Sequence, residues 1–156
     1  MNINSEMMEK ALCLAQKAFL KDEVPVGAVV VKGNKIIGEG YNRREELTNS
    51  LAHAEIIAIN EACRTLGSWR LEGCEMYVTL EPCPMCAGAL INSRIDTVIY
   101  GAYDDKGGCM GSLVDLSDFS FNHKVQIVGG YMEKECRQLL ESFFKSKRTT
   151  KTEQSQ

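Results

Sequence analysis

No run in this 156-residue sequence approaches the roughly 18 consecutive apolar residues that a membrane-spanning helix needs. Its first residues, MNINSEMMEKALCLAQKAFL, interleave charges with apolar side chains and lack the basic start and unbroken apolar core of a secretory leader. Cationic excess is missing as well. The 18 Lys and Arg stand against 21 Asp and Glu, a formal net charge of −3, so any polyanionic partner must be gripped by a local patch. The seven cysteines are an odd number without framework spacing, which argues against a disulfide-stapled secreted domain. The expectation is a reducing, cytoplasmic setting, thiols free or holding metal, and no membrane. Repeats and linkers are absent, and a single domain of this length buries roughly 68–70% of its unfolded surface without staples. Histidine is scarce too, with only two in the chain, so a metal site must take ligands from other residue types.

What is present reads as one α/β domain over residues 1–148 with a flexible polar tail, 149–156. Residues 5–21 have helical spacing, with Ser5 as the cap and Met8, Leu12, Ala15 and Phe19 on one face. The stretch VGAVVVKGNKIIGEGYN predicts a hairpin turning at Gly33-Asn34. A second helix is expected over residues 53–66, ended by Gly67. Then come a strand (EMYVTL), a helix opened by Pro84 and a strand (DTVIYGA), a β-α-β unit that should be parallel. A Gly-rich loop, YDDKGGCMGS, a short segment at 113–116, a last strand at VQIVGG and a closing helix over 132–147 complete the chain. This order fits a mixed sheet covered by helices on both faces.

The chemistry concentrates around TLEPCPMCAGAL. Pro84 just inside the helix start makes Cys83 a cap residue and Cys86 a first-turn residue, so both thiols share one face. The positive end of the helix dipole favours their thiolates. About thirty residues upstream, His53 opens the second helix. With Cys83 and Cys86 it would give zinc three protein ligands and leave one position for water, the pattern of a catalytic site. Glu55 lies two residues on. In mid-helix the two side chains would diverge, so sharing a pocket requires the helix to begin at or very near His53. Two thiolates neutralise the dication and blunt its effect on water, so a base is needed, and Glu55 fits that role.

Other readings compete. A lone C-x-x-C suits a thioredoxin-like redox pair, and a fourth cysteine, Cys74 or Cys109, would close a structural zinc site. Cys13, Cys63 and Cys136 fall at apolar helical positions and are expected in the core. His123 by itself reads as a surface loop histidine, Asn42 as a loop-capping asparagine, and Asp104 as a turn former. Lys145, Lys147, Arg148 and Lys151, beside Phe144, suit either a solvated helix end or phosphate contacts. Arg43 and Arg44 adjoin Asn42.

HAE followed by PCPMC resembles the zinc-dependent nucleoside and nucleobase deaminases, whose signature is H-x-E with P-C-x-x-C. The longer string GSWRLEGCEMYVTLEPCPMCAGALINSRIDTVIYGAYDDKGGCMGSL, with EVPVGAVVV, FNHK and SFFKSKR, is similar to the bacterial tRNA-specific adenosine deaminases, the TadA family. The resemblance implies a three-layer, five-stranded, cytidine deaminase-like fold and one zinc per chain. It implies hydrolysis of adenosine to inosine at the wobble position of a tRNA, chiefly an arginine tRNA. Zinc-activated water would attack C6 while Glu55 shuttles the proton. It implies a homodimer gripping the anticodon stem-loop, with Asn42, Asp104, Asn122 and His123 near the target and its neighbours. Arg44, Phe144, Lys145 and Arg148 are the remaining expected RNA contacts. Tyr103 departs from the family, which often carries a charged residue there. A small-molecule enzyme such as guanine deaminase is the alternative within the superfamily, and a non-catalytic RNA- or zinc-binding module is a third class that would not need Glu55.

Overall fold

A computed structural model describes residues 2–154, with side chains through residue 151. The elements are α1 (Ser5–Leu20), β1 (Gly27–Lys32), β2 (Lys35–Tyr41), α2 (Ala54–Leu66), β3 (Cys74–Leu80), α3 (Pro84–Asn92), β4 (Thr97–Ala102), β5 (Gln126–Val128) and α4 (Glu133–Gln154), with a short 3-10 turn at Leu116–Asp118. The strands form one mixed sheet in the order β2-β1-β3-β4-β5. β1 pairs antiparallel with β2 and with β3, whereas β3, β4 and β5 run parallel.

Burial follows from the strand sequences. The valine-rich β1 and the apolar β3 and β4 lie inside, while short β5 and mixed β2 form the edges. One face of the sheet is covered by α2 and α3 around Ala28, Val30, Met76, Val98 and Leu90, and the other packs against α1 and α4 around Val29, Tyr77 and Ile99. The result is the expected three-layer α/β/α arrangement. The hairpin turns at Gly33 and Asn34, at φ 55° and 62°.

Several boundaries differ from the sequence expectation. Asn4, not Ser5, caps α1, its side chain accepting from the Glu6 N–H at 3.0 Å. The buried residues of α1 are Met7, Met8, Ala11, Leu14, Ala15 and Ala18, with Ala11 and Ala15 where Gly27 of β1 approaches the helix backbone most closely. Leu12 and Phe19 are pushed to its flanks, and Cys13 is exposed, not in the core. Cys63 is only half-buried, whereas Cys136 is buried as expected. α3 stops at Asn92, with Arg94 beyond it at φ 62°. No break in α4 marks the expected boundary at residue 148. The helix runs through Gln154, since its ladder needs no apolar partner, and Thr149 and Thr150 bond back to the Lys145 and Ser146 carbonyls. Residues 155–156 of the expected tail lie outside the described residues. Among the described residues no helix is long and apolar enough to cross a membrane.

Candidate active site

Two helix starts meet at the carboxyl end of β3. α2 begins at Ala54, and His53 is its cap with extended backbone (φ −76°, ψ 152°), as the sharing of one pocket requires. α3 begins at Pro84, and Cys83 is its cap (φ −73°, ψ 176°). His53 Nδ1 therefore stands 3.6 Å from the sulfurs of both Cys83 and Cys86. Those three donors are the only metal-binding cluster of three or more His, Cys, Asp or Glu among the described residues. Tetrahedral zinc at ordinary Zn–S and Zn–N bond lengths has an N···S edge of about 3.6 Å, so the donor types and both N···S spacings fit zinc.

The electrostatics match a cation site waiting to be neutralised. The Cys86 thiol hydrogen-bonds the Cys83 sulfur, which pulls Cys83 down to about 4 and pushes Cys86 well up. The same Cys83 thiolate raises His53. Glu55 is buried, and desolvation pushes its carboxyl up to about 7, with the Cys83 charge adding to the rise. Cys74 turns its sulfur toward the Glu72 carbonyl and Cys109 toward that of Gly107, so neither joins the cluster and the four-cysteine reading gains no support.

A cavity of about 140 Å³ opens over these donors, walled by Asn42, Arg44, His53, Glu55, Cys83 and Asp104. Six of the expected site residues are thereby brought together, with Cys86 buried behind them. Asn42 donates from Nδ2 to the Val24 carbonyl (3.2 Å) and accepts the Arg44 N–H (3.1 Å). Each end of its amide keeps one free bonding position for a ligand. Asp104 both lines the cavity and caps a turn, its Oδ1 accepting the N–H groups of Lys106 and Gly107 at 3.2 Å each.

Other expected contacts lie elsewhere. Arg44 and Val24 also border a second hollow, of about 380 Å³, that reaches Lys21, Phe143 and Lys147. Lys147 in turn borders a groove of about 470 Å³ with Phe144, Arg148 and Lys151. The hollows adjoin through shared residues: the middle one sets Lys21, Arg44 and Lys147 beside Asp22, Glu23 and Glu45, and the groove on α4 carries Lys147, Arg148 and Lys151 with no acid. Lys145 is exposed on α4 but does not line the groove. Asn122 and His123 are not at the cavity at all. His123 Nε2 bonds the Ile95 carbonyl (2.6 Å), just before β4, and Thr97 pairs with Glu75 at the start of β3. That is the opposite end of the sheet, about 20 Å along β3 from the cysteines. Tyr103 packs edge-on against Tyr100 (5.4 Å) and does not wall the cavity.

Sequence reasoning missed the roles of Val24, Val26, Ala54, Leu80 and Glu81, which complete the cavity wall. Glu81 had a detectable signal. It is an acid at the end of an apolar strand, just upstream of a Gly-rich loop whose N–H groups need acceptors.

The profile of the MafB19-like deaminase family matches residues 2–148. A tRNA-specific adenosine deaminase of Bacillus subtilis (strain 168) is 50% identical over 145 residues, covering 92% of this chain and 90% of its own. The chain belongs to the tRNA-specific adenosine deaminase family. A solved structure from work on A-to-I editing by tRNA:A34 deaminases at the wobble position of transfer RNA superposes on this deaminase with a TM-score of 0.85. The two are 43% identical over 88% of this chain and all of the other. Guanine deaminase from Bacillus subtilis also resembles it, at a TM-score of 0.62 and 39% identity over 66% of each chain. The deaminase is an enzyme with the fold of its family, and His53, Cys83 and Cys86 form its candidate metal cluster.

Proposed function

We propose that this deaminase hydrolyses adenosine to inosine at the wobble position of a tRNA anticodon, in an arginine tRNA, using one zinc per chain. When bound by His53, Cys83 and Cys86, zinc supplies a fourth, open position that holds and acidifies water. Glu55, walled into the same cavity with its carboxyl raised to about 7, would take a proton from water as its oxygen bonds to C6 and pass that proton to the amine, so that the C6–N bond breaks and ammonia leaves. Asn42 orients the base through its spare donor and acceptor, and Asp104 borders the nucleotide from the facing loop.

The observation that carries the reading is what the cavity adjoins. A free base needs only the cavity, whereas this cavity adjoins, past Arg44, a hollow of mixed charge that leads to the basic groove of Phe144, Lys147 and Arg148. Arg and Lys there suit phosphates, Lys145 adds to the field from beside the groove, and Phe144, 45% exposed, offers a stacking face for an unpaired base. The placement of Asn122 and His123 about 20 Å from the cavity supports a homodimer, since a second copy is needed to bring them to the same anticodon. Leu113, Val114, Phe119 and Phe121, each more than 40% exposed, give that second copy an apolar surface. Seven unpaired thiols suit a reducing, cytoplasmic setting.

The test offers purified protein an arginine tRNA anticodon stem-loop, free adenosine and free guanine, and assays inosine and xanthine. Inosine in the stem-loop alone is expected. Xanthine from guanine, with the stem-loop untouched, would instead support the guanine deaminase reading that the second structural likeness favours.

A further inference from the structure

Two buried carboxylates near the cavity take no part in the chemistry above, Glu23 and Glu81, each only 2% exposed. Glu81 directly follows β3, two residues before Cys83. Its Oε1 accepts the Asp104 N–H (3.1 Å) and the Ser112 hydroxyl, and its Oε2 accepts the N–H groups of Met110 (3.2 Å) and Ser112 (3.0 Å). A carboxylate has about four acceptor sites, so Glu81 has none left for a substrate or for water. Although it lines the cavity, it cannot serve there as a base or as a ligand-binding group.

We infer that Glu81 is a positioning residue, a pin that fixes the loop 104–112, and with it the Asp104 wall, relative to the metal donors. Independent contacts point the same way. The next residue's carbonyl, on Pro82, accepts the Cys109 N–H at 2.9 Å, and the Tyr100 hydroxyl donates to the Met110 carbonyl at 3.1 Å. Gly108 is required by the closeness of the clasp, since a Cβ there would lie 2.2 Å from Glu81 Cδ and 2.6 Å from the Asp104 carbonyl oxygen. Because Cys83 and Glu81 are two residues apart in the short connection between β3 and α3, the loop is registered directly to the candidate metal cluster. Asp104, which shares the cavity wall with Asn42, is thereby held in place. The inference rests on the proposed reading only in taking Asp104 to border the substrate.

Glu81→Gln tests it. An amide accepts on one side only, and its NH2 must oppose N–H donors on the other. The Ser112 hydroxyl can turn to accept, so the better orientation gives up the Asp104 bond. In the zinc-loaded variant, hydrogen exchange at the Asp104 amide should quicken on the order of tenfold while β3 and β4 amides keep their protection. Single-turnover inosine formation in the stem-loop should fall about 10- to 100-fold, as an ångström-scale misplacement produces. Stem-loop Kd should stay within about threefold, because phosphate contacts dominate RNA affinity. A general structural role would instead lower zinc content and folded fraction, leaving the rate per zinc-loaded molecule unchanged, and that result overturns the inference. Should Glu81→Gln fail to fold, Gly108→Ala keeps the carboxylate and displaces the loop, and a wild-type rate in it overturns the inference equally. If the wild-type protein leaves the stem-loop untouched, the proposed function falls, and exchange at Asp104 alone decides for or against the pin.

Discussion

Gly40→Ala is a demanding test of how the site is positioned, because Gly40 touches no substrate and no metal donor. It lies on β2 directly under the start of α2. A Cβ there would meet the Ala54 carbonyl oxygen at 2.3 Å, the Ala58 nitrogen at 2.8 Å and the Ile57 Cβ at 3.0 Å, where ordinary contact begins at 3.4 Å. Either α2 or β2 must therefore shift by about 1 Å, with overpacking of this kind costing about 1–3 kcal/mol. If the helix yields, Ala54 moves together with its neighbours His53 and Glu55. If the edge strand yields, Asn42 moves, since β2 ends at Tyr41. Both outcomes displace one wall of the cavity. The expected result is a Tm lowered by about 2–10 °C, with turnover per zinc-loaded molecule reduced on the order of 100-fold. The control is Gly88→Ala on α3, where a Cβ meets nothing within 4 Å and helix propensity favours alanine by about 0.5–1 kcal/mol. Calorimetry, zinc content and a stem-loop inosine assay measure all three quantities. Wild-type turnover in a folded Gly40→Ala protein would refute the claim that this close approach sets the site.

Further outcomes follow from the same geometry. Glu55→Gln should keep full zinc content and lose about 100- to 10,000-fold in turnover, the range for removal of a general acid–base; zinc content by atomic absorption alongside the rate decides it. Cys83→Ala should lose zinc and activity together, because only three donors cluster among the described residues; activity surviving without zinc would contradict the proposed chemistry. Stem-loop affinity should fall with salt, and Arg148→Ala should shrink the slope of log K against log salt by about 0.7–1. An unchanged slope would remove Arg148 from the phosphate contacts. Sedimentation should show a dimer, and a charge placed at Phe119→Asp should favour the single chain.

The metal cluster was legible because each of its residues carries a local signal. Pro84 marks a helix start, C-x-x-C places two sulfurs on one face of that start, and H-x-E fits only a helix that begins at the histidine. The strands were legible for a similar reason: β1, β3 and β4 are apolar runs with no competing helical period. The α1 face was misread because periodicity identifies a stripe without its depth. Only the close approach of β1, where a Cβ on Gly27 would lie 2.0 Å from the Ala11 carbonyl oxygen, selects alanines for the centre. Glu23 went unassigned because its partners are main-chain N–H groups distant in sequence. Glu23 accepts from Glu45 and Glu46 at 3.0 and 2.8 Å, and nothing in the local pattern of residues announces such a bond.

Net charge is the feature that misleads most. A total of −3 argues against a polyanion, yet screening confines each charge to a radius of about 8 Å at physiological salt, so a phosphate responds to its neighbourhood and not to the sum. From Ser142 to Thr152 the chain holds Lys145, Lys147, Arg148 and Lys151 and no acid. α4 carries this segment as one continuous helix, and Lys147 joins its groove to the hollow leading back to Arg44. Of the acids near that path, Glu45 is exposed in the wall of the hollow beside Arg44, Glu23 is buried on backbone N–H groups, Glu46 pairs with Lys21 and Arg43, and Asp22 pairs with Lys147. Exposed ion pairs of this kind contribute only about 0–1 kcal/mol, so an arriving phosphate can displace the Asp22 carboxylate from Lys147 at little cost. Asp22→Asn should accordingly tighten stem-loop binding by a few-fold at low salt and leave turnover of bound RNA unchanged. Weaker or unaltered binding would mean that Lys147 does not face the RNA.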